Sequence, residues 1–196
     1  MILGITGGIG SGKSTVLGLL EQQYQAVILP LDLVGRELMK KGKEAYQAVI
    51  DAFGTEILDE QDEIDRSLLA RYVFSDAEKL KKLESIIHPL VKEKTKEFIA
   101  QNKDRFVVLE SAILFETGYQ TLCDETWYVY AKDIIRVKRL MKDRGYTLER
   151  IERTFKKQMS DREFRIKSDR VIDNSGSIQE TQKQVIDCMA KLSELV

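Results

Sequence analysis

Short runs of hydrophobic residues alternate along this chain with stretches in which apolar residues recur every three or four positions. Five short segments have the length and composition of strands: residues 1–6, 26–29, 106–109, 127–130 and 170–173. The segment at 106–109 is continuously apolar, as expected for a central parallel strand that is buried on both faces. Strands that alternate with amphipathic helices predict an α/β fold with a doubly wound, parallel, five-stranded sheet.

Helical spacing dominates residues 33–101, which form a candidate insert between the second and third strands. A helix is predicted over 33–40, and Asp32 stands where a side chain could cap its first turn. A capping box that begins at Ser75 opens a later helix. Pro89 either ends that helix or starts the next one at its first position.

Three helices are predicted beyond the fourth strand. The first covers 134–144 and stops at Gly145, and the second covers about 148–159. A capping box at Ser177 opens the terminal helix. The first two helices therefore connect the fourth and fifth strands, and the terminal helix follows the fifth strand.

Length and composition are those of an ordinary globular domain. The chain has 196 residues, of which 43% are hydrophobic and 32% charged, and its net charge is −1. The molecule as a whole has no electrostatic bias toward nucleic acid or a membrane surface. Residues 132–170 differ, because they hold 14 Lys and Arg against 7 Asp and Glu. This basic segment suits a small anionic ligand, although a solvated helical face would have the same composition.

Cysteine use suits a reducing compartment, because it makes a disulfide framework unlikely. Cys123 and Cys188 are far apart and lie in no metal-ligand spacing. No apolar run approaches about 18 residues, and the N-terminus shows no basic segment with a cleavage site. We therefore expect a cytoplasmic protein without membrane spans.

Residues 7–14 read Gly-Gly-Ile-Gly-Ser-Gly-Lys-Ser and lie between a predicted strand and a predicted helix. Pattern and context are those of a phosphate-binding loop, G-x-x-x-x-G-K-[ST]. Glycines let the backbone wrap closely, so that its N–H groups and the positive end of the following helix converge on phosphates. A glycine-rich turn that binds nothing would not need all of the fixed positions.

Two side chains of this loop carry chemistry. Lys13 is expected to reach the β- and γ-phosphates of a nucleoside triphosphate, and the Ser14 hydroxyl is expected to ligate Mg²⁺. The predicted nucleotide-binding residues of the loop are Gly8, Gly10, Ser11, Gly12, Lys13, Ser14 and Thr15.

Asp32 and His88 are further candidates. Asp32 follows the second strand, at the carboxyl edge where α/β sheets bind ligands, so it faces the same crevice as the phosphate loop or caps the next helix. His88 is the only histidine, and its position alone does not separate a packing role from a functional one.

A phosphate loop leaves the reaction open between a small-molecule kinase and an NTPase switch or motor. A GTPase would show N-K-x-D, whereas residues 102–105 end in Arg. A motor ATPase usually has an apolar strand that ends in Asp-Glu, for which Leu109-Glu110 is a weak match. A kinase needs an acceptor-binding insert, an acidic group and a basic lid, and this chain has candidates for all of them.

The residues just described resemble the dephospho-coenzyme A kinase family over essentially the whole chain. Their order and spacing together are highly specific, although no single one is decisive. The shared features are the loop from Gly4 to Thr15, Asp32 with Arg36-Glu37, Phe53-Gly54, Ile64-Asp65-Arg66, His88-Pro89, Ile113-Leu114-Phe115-Glu116, Arg139, Arg144, Gln158, and Val171-Ile172-Asp173-Asn174 with Gly176.

The chain departs from the family pattern at a few places. Pro30 replaces the first acidic residue of a D-A-D segment, so any role of two carboxylates falls on Asp32. Ala112 replaces a proline, and one residue is inserted between Arg139 and Arg144. The insertion leaves open which of these arginines contacts the transferring phosphoryl group.

The resemblance implies ATP-dependent phosphorylation of the ribose 3′-hydroxyl of dephospho-coenzyme A, which gives coenzyme A and ADP in the last step of coenzyme A biosynthesis. The implied roles are catalysis by Asp32, Lys13, Arg139 and Arg144, acceptor binding by Asp32, Arg66 and His88, and contact of Asn174 and Gly176 with adenine. The implied cofactors are ATP and Mg²⁺, with no nucleic-acid or membrane partner.

We expect a single P-loop kinase domain in three parts. These are the core at 1–32, 102–138 and 168–196, a helical substrate-binding insert at 33–101 and a helical lid at 139–167. The sequence leaves open the choice of nucleotide, the extent of lid closure and the oligomeric state, with a monomer favoured. A nucleoside or nucleotide kinase of the same fold, or a regulatory P-loop ATPase, stays an alternative.

Overall fold

The structure is a computed structural model that describes residues 1–74 and 76–193. The chain divides into two compact units, the first made of Met1–Leu29 and Asn102–Val196 and the second of Pro30–Gln101. The first unit contains the sheet and the phosphate loop, and the second is helical. The roles predicted for the insert and the lid stay predictions.

The sheet has five strands in the order β2-β3-β1-β4-β5. The strands are β1 (Ile2–Thr6), β2 (Val27–Pro30), β3 (Val107–Glu110), β4 (Glu125–Tyr130) and β5 (Arg170–Asp173). β1 pairs in parallel with both β3 and β4, and β4 pairs in parallel with β5. Carboxyl ends of parallel strands meet at one edge, so the segments that follow β1, β3, β4 and β5 lie close together.

α-Helices connect these strands except between β3 and β4, where the segment contains a 3₁₀ turn. Within the described residues the α-helices are α1 (Lys13–Tyr24), α2 (Leu31–Leu38), α3 (Tyr46–Phe53), α4 (Arg66–Phe74), α5 (Ala77–Gln101), α6 (Asp133–Arg144), α7 (Leu148–Phe155), α8 (Asp161–Lys167) and α9 (Ile178–Ser193). Short 3₁₀ turns cover Thr55–Ile57 and Tyr119–Leu122. Within the described ranges, none of the helices has the length and apolar composition that a membrane crossing requires.

The sheet buries side chains on both of its faces. On one face, Trp127 and Val129 of β4 belong to a core that also contains residues of α1 and α9. On the other face, Tyr128 stacks on Phe164 of α8 with ring centroids 4.7 Å apart. Neighbouring residues of a strand point to opposite faces, so β4 serves both cores. The predicted doubly wound α/β sheet is confirmed.

Several predicted boundaries also hold in the first unit. Gly145 caps the C-terminus of α6 in the left-handed conformation, with φ of 62°. Ser177 and Glu180 form the predicted capping box of α9, because each side chain accepts a hydrogen bond from the backbone N–H of the other. These signals are local, so the sequence contains all of the information that they need.

The predicted helix over 148–159 is too long. α7 ends at Phe155, and a separate helix, α8, begins at Asp161. Ser160 and Glu163 form a capping box at the start of α8. This Ser-x-x-Glu signal is visible in the sequence and would have predicted the new helix.

Two predictions about the helices of the second unit are wrong. α2 begins at Leu31 with Pro30 as its N-cap, so Asp32 lies inside the first turn and is not the cap. Pro89 neither ends nor starts a helix, since α5 runs through it. Pro89 is exposed while Ile87 and Val91 on the other side of α5 are buried, so packing of the apolar face outweighs the missing N–H.

The predicted capping box at Ser75 lies outside the described residues. Asp76 provides a side-chain cap next to it, because its Oδ1 accepts hydrogen bonds from the backbone N–H groups of Glu78 and Lys79 at 2.9 and 3.3 Å. α5 therefore starts with an acidic cap, which suits the positive end of a helix.

Candidate active site

The phosphate loop (residues 7–14) connects β1 to α1 at the carboxyl edge of the sheet. Gly12 caps α1 with φ of 88°, a left-handed conformation that residues with a Cβ rarely adopt. A Cβ at Gly12 would also collide with Nδ2 of Asn174. Glycine is required here for both backbone conformation and close packing, and the loop turns directly into the N-terminus of a helix.

Lys13 occupies the first turn of α1 and its side chain reaches back along the loop. Its Nζ donates a hydrogen bond to the carbonyl oxygen of Gly7 at 2.8 Å and lies 3.5 Å from Oε1 of Glu110. The two charged side chains are only 15% and 16% exposed. The ammonium group is therefore held beside the loop before any ligand is bound.

Glu110 is a site residue that the sequence analysis did not select. It was considered only as a weak match to a motor ATPase, but β3 pairs with β1 and places Glu110 beside Ile5. β3, which lies next to β1 in the sheet, therefore ends in a carboxylate beside Lys13. A charged residue at the end of an apolar strand was the available signal.

Asn174 follows β5, and its side chain binds the backbone of the phosphate loop. Its Nδ2 donates to the carbonyl oxygen of Ser11 at 2.8 Å, and its Oδ1 accepts from the Thr181 hydroxyl at 2.9 Å. The residue is 3% exposed, and these bonds satisfy both ends of its amide inside the protein. Gly176 lies in the turn that the Ser177 capping box closes.

Arg139 lies on α6 and binds backbone carbonyl groups. Its Nη1 donates to the carbonyl oxygens of Ser11 and Gly10 at 3.1 and 3.5 Å, and its Nη2 donates to that of Asn174 at 2.8 Å. Arg144 lies at the C-terminal end of the same helix and is exposed. The structure therefore brings Arg139 to the loop and leaves Arg144 at the surface.

Arg136 and Gln158 also contact the loop, although the sequence analysis gave Arg136 no role. Nε of Arg136 donates to the carbonyl oxygen of Ile9 at 2.9 Å, and the Ile9 N–H donates to Oε1 of Gln158 at 3.0 Å. Arg136 precedes Arg139 by three residues and so shares its helix face. That spacing was the signal that could have identified it.

The remaining loop residues differ in how far they are exposed. Ser14 is exposed in the first turn of α1, and Thr15 donates its N–H to the Gly12 carbonyl at 2.9 Å. Ser11 is buried, with a hydroxyl that has no hydrogen-bond partner in the part of the chain that the structure describes. Gly8 and Gly10 precede these residues in the loop.

The predicted acceptor residues all belong to the second unit. Asp32 is exposed in the first turn of α2, and Arg66 is exposed as the first residue of α4, behind Asp65, whose Oδ1 accepts from the N–H of Ser67 at 2.7 Å. α2 and α4 both pack against α5, which carries His88. These three side chains are thus placed on one helical assembly.

His88 is partly buried, and burial lowers its pKa below 6.5, while the charge of Glu84 opposes this shift. A lowered pKa keeps the imidazole neutral near pH 7. A neutral ring can donate and accept one hydrogen bond each, which suits a polar ligand.

Fold and loop together define a P-loop nucleotide-binding protein. A parallel sheet carries the glycine loop after its central strand, and lysine and helix N-terminus converge where phosphates bind.

Residues 1–180 match the family described as dephospho-CoA kinase. A dephospho-CoA kinase from Carboxydothermus hydrogenoformans is 41% identical over 97% of this chain and 93% of that protein. The chain therefore belongs to the dephospho-CoA kinase family.

Solved structures share the fold of this chain. TT1252 from Thermus thermophilus is 33% identical, covers 98% of this chain and 97% of its own, and has a TM-score of 0.84. Dephospho-CoA kinase from Campylobacter jejuni has the same fold, with 20% identity, a TM-score of 0.62, and coverage of 97% of this chain and 96% of its own.

Proposed function

We propose that this protein transfers the γ-phosphoryl group of ATP to the ribose 3′-hydroxyl of dephospho-coenzyme A, which gives coenzyme A and ADP. The observation that carries the proposal is the family match over residues 1–180 of a chain whose phosphate loop is intact. In this role the protein catalyses the last step of coenzyme A biosynthesis.

The loop would hold the triphosphate mainly by charge and positioned N–H groups. Phosphoryl transfer needs little covalent help from the protein, so positioning and neutralisation of charge are its main tasks. Lys13 is already oriented by the Gly7 carbonyl and Glu110, and it would exchange part of these contacts for the β- and γ-phosphates. The free N–H groups in the first turn of α1 and the positive end of the helix dipole would also attract the phosphates.

The donor set beside the loop fits a magnesium ion that takes most of its ligands from phosphates and water. Ser14 exposes one hydroxyl in the first turn of α1. Within the described residues, no group of three or more His, Cys, Asp or Glu side chains could hold a metal by itself. Mg²⁺ binds in this manner in many phosphotransferases, where it neutralises charge on the β- and γ-phosphates.

The insert would bind the acceptor. Asp32 would accept the proton of the 3′-hydroxyl or orient that group, and its place in the first turn of α2 leaves the carboxylate exposed for this task. Arg66 and His88 would contact the anionic acceptor from α4 and α5. All three residues correspond to positions in the family pattern.

The segment at 139–167 would act as a lid over the nucleotide. Arg139 and Arg144 were predicted to offset charge on the transferring group, and the carbonyl contacts of Arg139 support a part in shaping the loop. Asn174 and Gly176 would border the adenine, from the turn that follows β5. Closure of such a lid excludes water from a phosphoryl group that could otherwise be hydrolysed.

Steady-state ADP production with Mg-ATP, with and without dephospho-coenzyme A, tests the proposal. We expect ADP formation to depend on this acceptor and mass spectrometry to find the acceptor heavier by one phosphate group. Slow ADP release that ignores the acceptor would overturn the substrate assignment. A panel of nucleosides and nucleotides would then test the related kinase activities.

A further inference from the structure

We propose that Arg136 is a catalytic residue that contacts the terminal phosphate of the bound nucleotide, and that Gln158 holds this arginine at the loop until the nucleotide arrives. The inference rests on the proposed phosphotransferase function and goes beyond it by assigning a residue to the group that is transferred. It is carried by a three-way contact between Arg136, Gln158 and the backbone of Ile9.

Gln158 stands in for a phosphate oxygen. Its Oε1 accepts one hydrogen bond from the Ile9 N–H at 3.0 Å and another from Nη2 of Arg136 at 3.2 Å. An N–H group of a phosphate loop paired with an arginine donor is the arrangement that binds a phosphate oxygen. Here a neutral amide oxygen satisfies the same two donors.

A phosphate oxygen is the stronger acceptor of the two. A hydrogen bond with one ionised partner is about twice as strong as a neutral one, so a phosphate oxygen would strengthen the bond from the Ile9 N–H. At Arg136 it would add the attraction between two full opposite charges to a bond whose donor is already charged. A triphosphate in the loop would therefore displace the side-chain Oε1 of Gln158 from the Ile9 N–H and from the Arg136 guanidinium. The guanidinium needs little movement, because its Nε already donates to the Ile9 carbonyl at 2.9 Å.

Arg136 is held in place by its surroundings. Its guanidinium lies over the Phe155 ring of α7, 3.9 Å from the centroid, and its side chain is only 14% exposed. A Cβ at Gly8 would collide with Nη2, so the glycine of the loop makes room for this group. Asp133 pairs with Nη1 at 3.0 Å but is itself 74% exposed, so solvent screens most of its charge.

The other two candidate arginines are placed differently. Arg139 directs its guanidinium to three backbone carbonyl oxygens, which act as acceptors as a phosphate would. Arg144 is exposed at the C-terminal end of α6. Among these three, Arg136 alone donates to Gln158 at the acceptor position beside the Ile9 N–H.

The chemical role follows from charge. In the transfer step, the acceptor oxygen forms a bond to the γ-phosphorus while the bond from that phosphorus to the bridging oxygen breaks, leaving ADP. The hydroxyl proton passes to Asp32 or to solvent, and Arg136 stays protonated throughout. Its donors would offset charge on the equatorial oxygens of the transferred group, a contribution that can exceed 10³-fold in rate.

The experiment compares Arg136→Ala and Arg136→Lys with the wild-type protein. Affinities for ADP and for a non-hydrolysable ATP analogue with an intact γ-phosphate are measured by calorimetry, without an acceptor. We expect Arg136→Ala to lower affinity for the analogue by about tenfold or more and to change ADP affinity by less than about threefold, since a hydrogen bond to a charged group is lost only in the former.

Turnover with dephospho-coenzyme A provides the second measurement. We expect Arg136→Ala to lower kcat by about 10³-fold, and added guanidinium ion to restore part of it. Arg136→Lys keeps the positive charge but loses the planar donor set of the guanidinium. Its kcat should therefore lie between those of Arg136→Ala and the wild type. If Arg136→Ala does not fold, the Lys variant supports the same comparison of ADP with the analogue.

Arg150→Ala is the matched control. Arg150 lies over the Tyr146 ring at 3.7 Å, as Arg136 lies over Phe155, but it is exposed on α7. We expect both affinities and kcat to stay within about threefold of the wild type. This control separates the loss of an arginine's stacking on an aromatic ring from the loss of the phosphate contact.

Three outcomes overturn the inference. Equal losses of ADP and analogue affinity in Arg136→Ala would mean that this arginine only shapes the loop. Unchanged affinities together with normal turnover would remove it from the site. A selective loss in Arg144→Ala that Arg136→Ala does not show would transfer the role to Arg144. An inactive wild-type protein would overturn the proposed function instead, because the analogue measurement needs no acceptor.

Discussion

The Nζ atom of Lys13 lies 3.5 Å from Oε1 of Glu110, and the two side chains that form this ion pair are both mostly buried. One residue belongs to the phosphate loop and the other to the end of β3. The carboxylate therefore supplies an anionic partner for the lysine in the absence of phosphate. Nucleotide binding would supply a second anion to the same ammonium group.

The first prediction concerns Glu110→Gln. Because a partly buried ammonium loses its charged partner, we expect the free energy of unfolding of the ligand-free protein to fall by about 1–3 kcal/mol. Saturating Mg-ADP should reduce this deficit, since phosphates then face Lys13. Urea denaturation with and without Mg-ADP measures both quantities.

Glu149→Gln is the control for this experiment. Glu149 pairs with Arg153 at 2.6 Å, but these side chains are 81% and 69% exposed. A change within about 0.5 kcal/mol is expected, with or without nucleotide. A deficit in Glu110→Gln that nucleotide leaves unchanged would contradict the link to phosphate binding.

The second prediction concerns Asp32→Asn. The amide keeps the size of the side chain but cannot accept a proton, so kcat should fall at least about 10²-fold, the low end for a lost acid–base group. The affinity of Asp32→Asn for ATP should be nearly the same as that of the wild-type protein. Coupled-enzyme kinetics and calorimetry measure the two effects.

Asp51→Asn tests whether any exposed carboxylate of the insert has this effect. Asp51 accepts a hydrogen bond from Gln47 at 2.8 Å on α3 and has no predicted role. The kcat of Asp51→Asn should equal that of the wild-type protein. Near-normal turnover in Asp32→Asn would leave Asp32 as a favourable charge at the start of α2.

The third prediction concerns Gly12→Ala. The variant adds strain at φ of 88° and a collision with the Asn174 amide, so we expect both a lower unfolding temperature and a loss of nucleotide affinity. Gly42→Ala has a similar φ of 77° but open space around its Cβ, so it isolates the strain, about 1–2 kcal/mol.

Gly18→Ala completes the series. Gly18 lies inside α1, and a Cβ there would meet nothing within 4 Å. We expect stabilisation by up to about 1 kcal/mol, because alanine is the better helix former. The collision hypothesis fails if Gly12→Ala and Gly42→Ala destabilise the protein equally and bind nucleotide equally well.

The fourth prediction concerns the pKa of His88, which burial lowers below 6.5. The unfolded chain binds a proton here at a higher pH than the folded chain does. This contribution to stability is therefore fully present above about pH 6.5 and is lost as the pH falls toward the folded pKa.

NMR titration measures this pKa directly, because His88 is the only histidine in the chain. We expect a value below 6.5, and we expect His88→Gln to remove part of the pH dependence of the unfolding temperature between pH 5 and 7. A titration midpoint at or above 6.5 would show that charges around the ring outweigh its burial.

Local signals in the sequence determined much of this protein. The five strands, the phosphate loop, the stop at Gly145 and the capping box at Ser177 each depend on residues within a few positions of one another. Hydrophobic runs, glycines with special backbone angles and capping side chains act over that range, so no knowledge of distant contacts is required. The fold class follows from their order.

Tertiary packing decided what distant residues do. α5 continues through Pro89 because its buried face outweighs one missing hydrogen bond, and no local rule contains that balance. Glu110 meets Lys13 only because β3 pairs with β1, and Arg136 meets Gln158 and Ile9 only because α6 and the segment after α7 converge on the loop. The sequence alone identified the chemistry of the loop, whereas the charges that surround it depend on which strands and helices become neighbours.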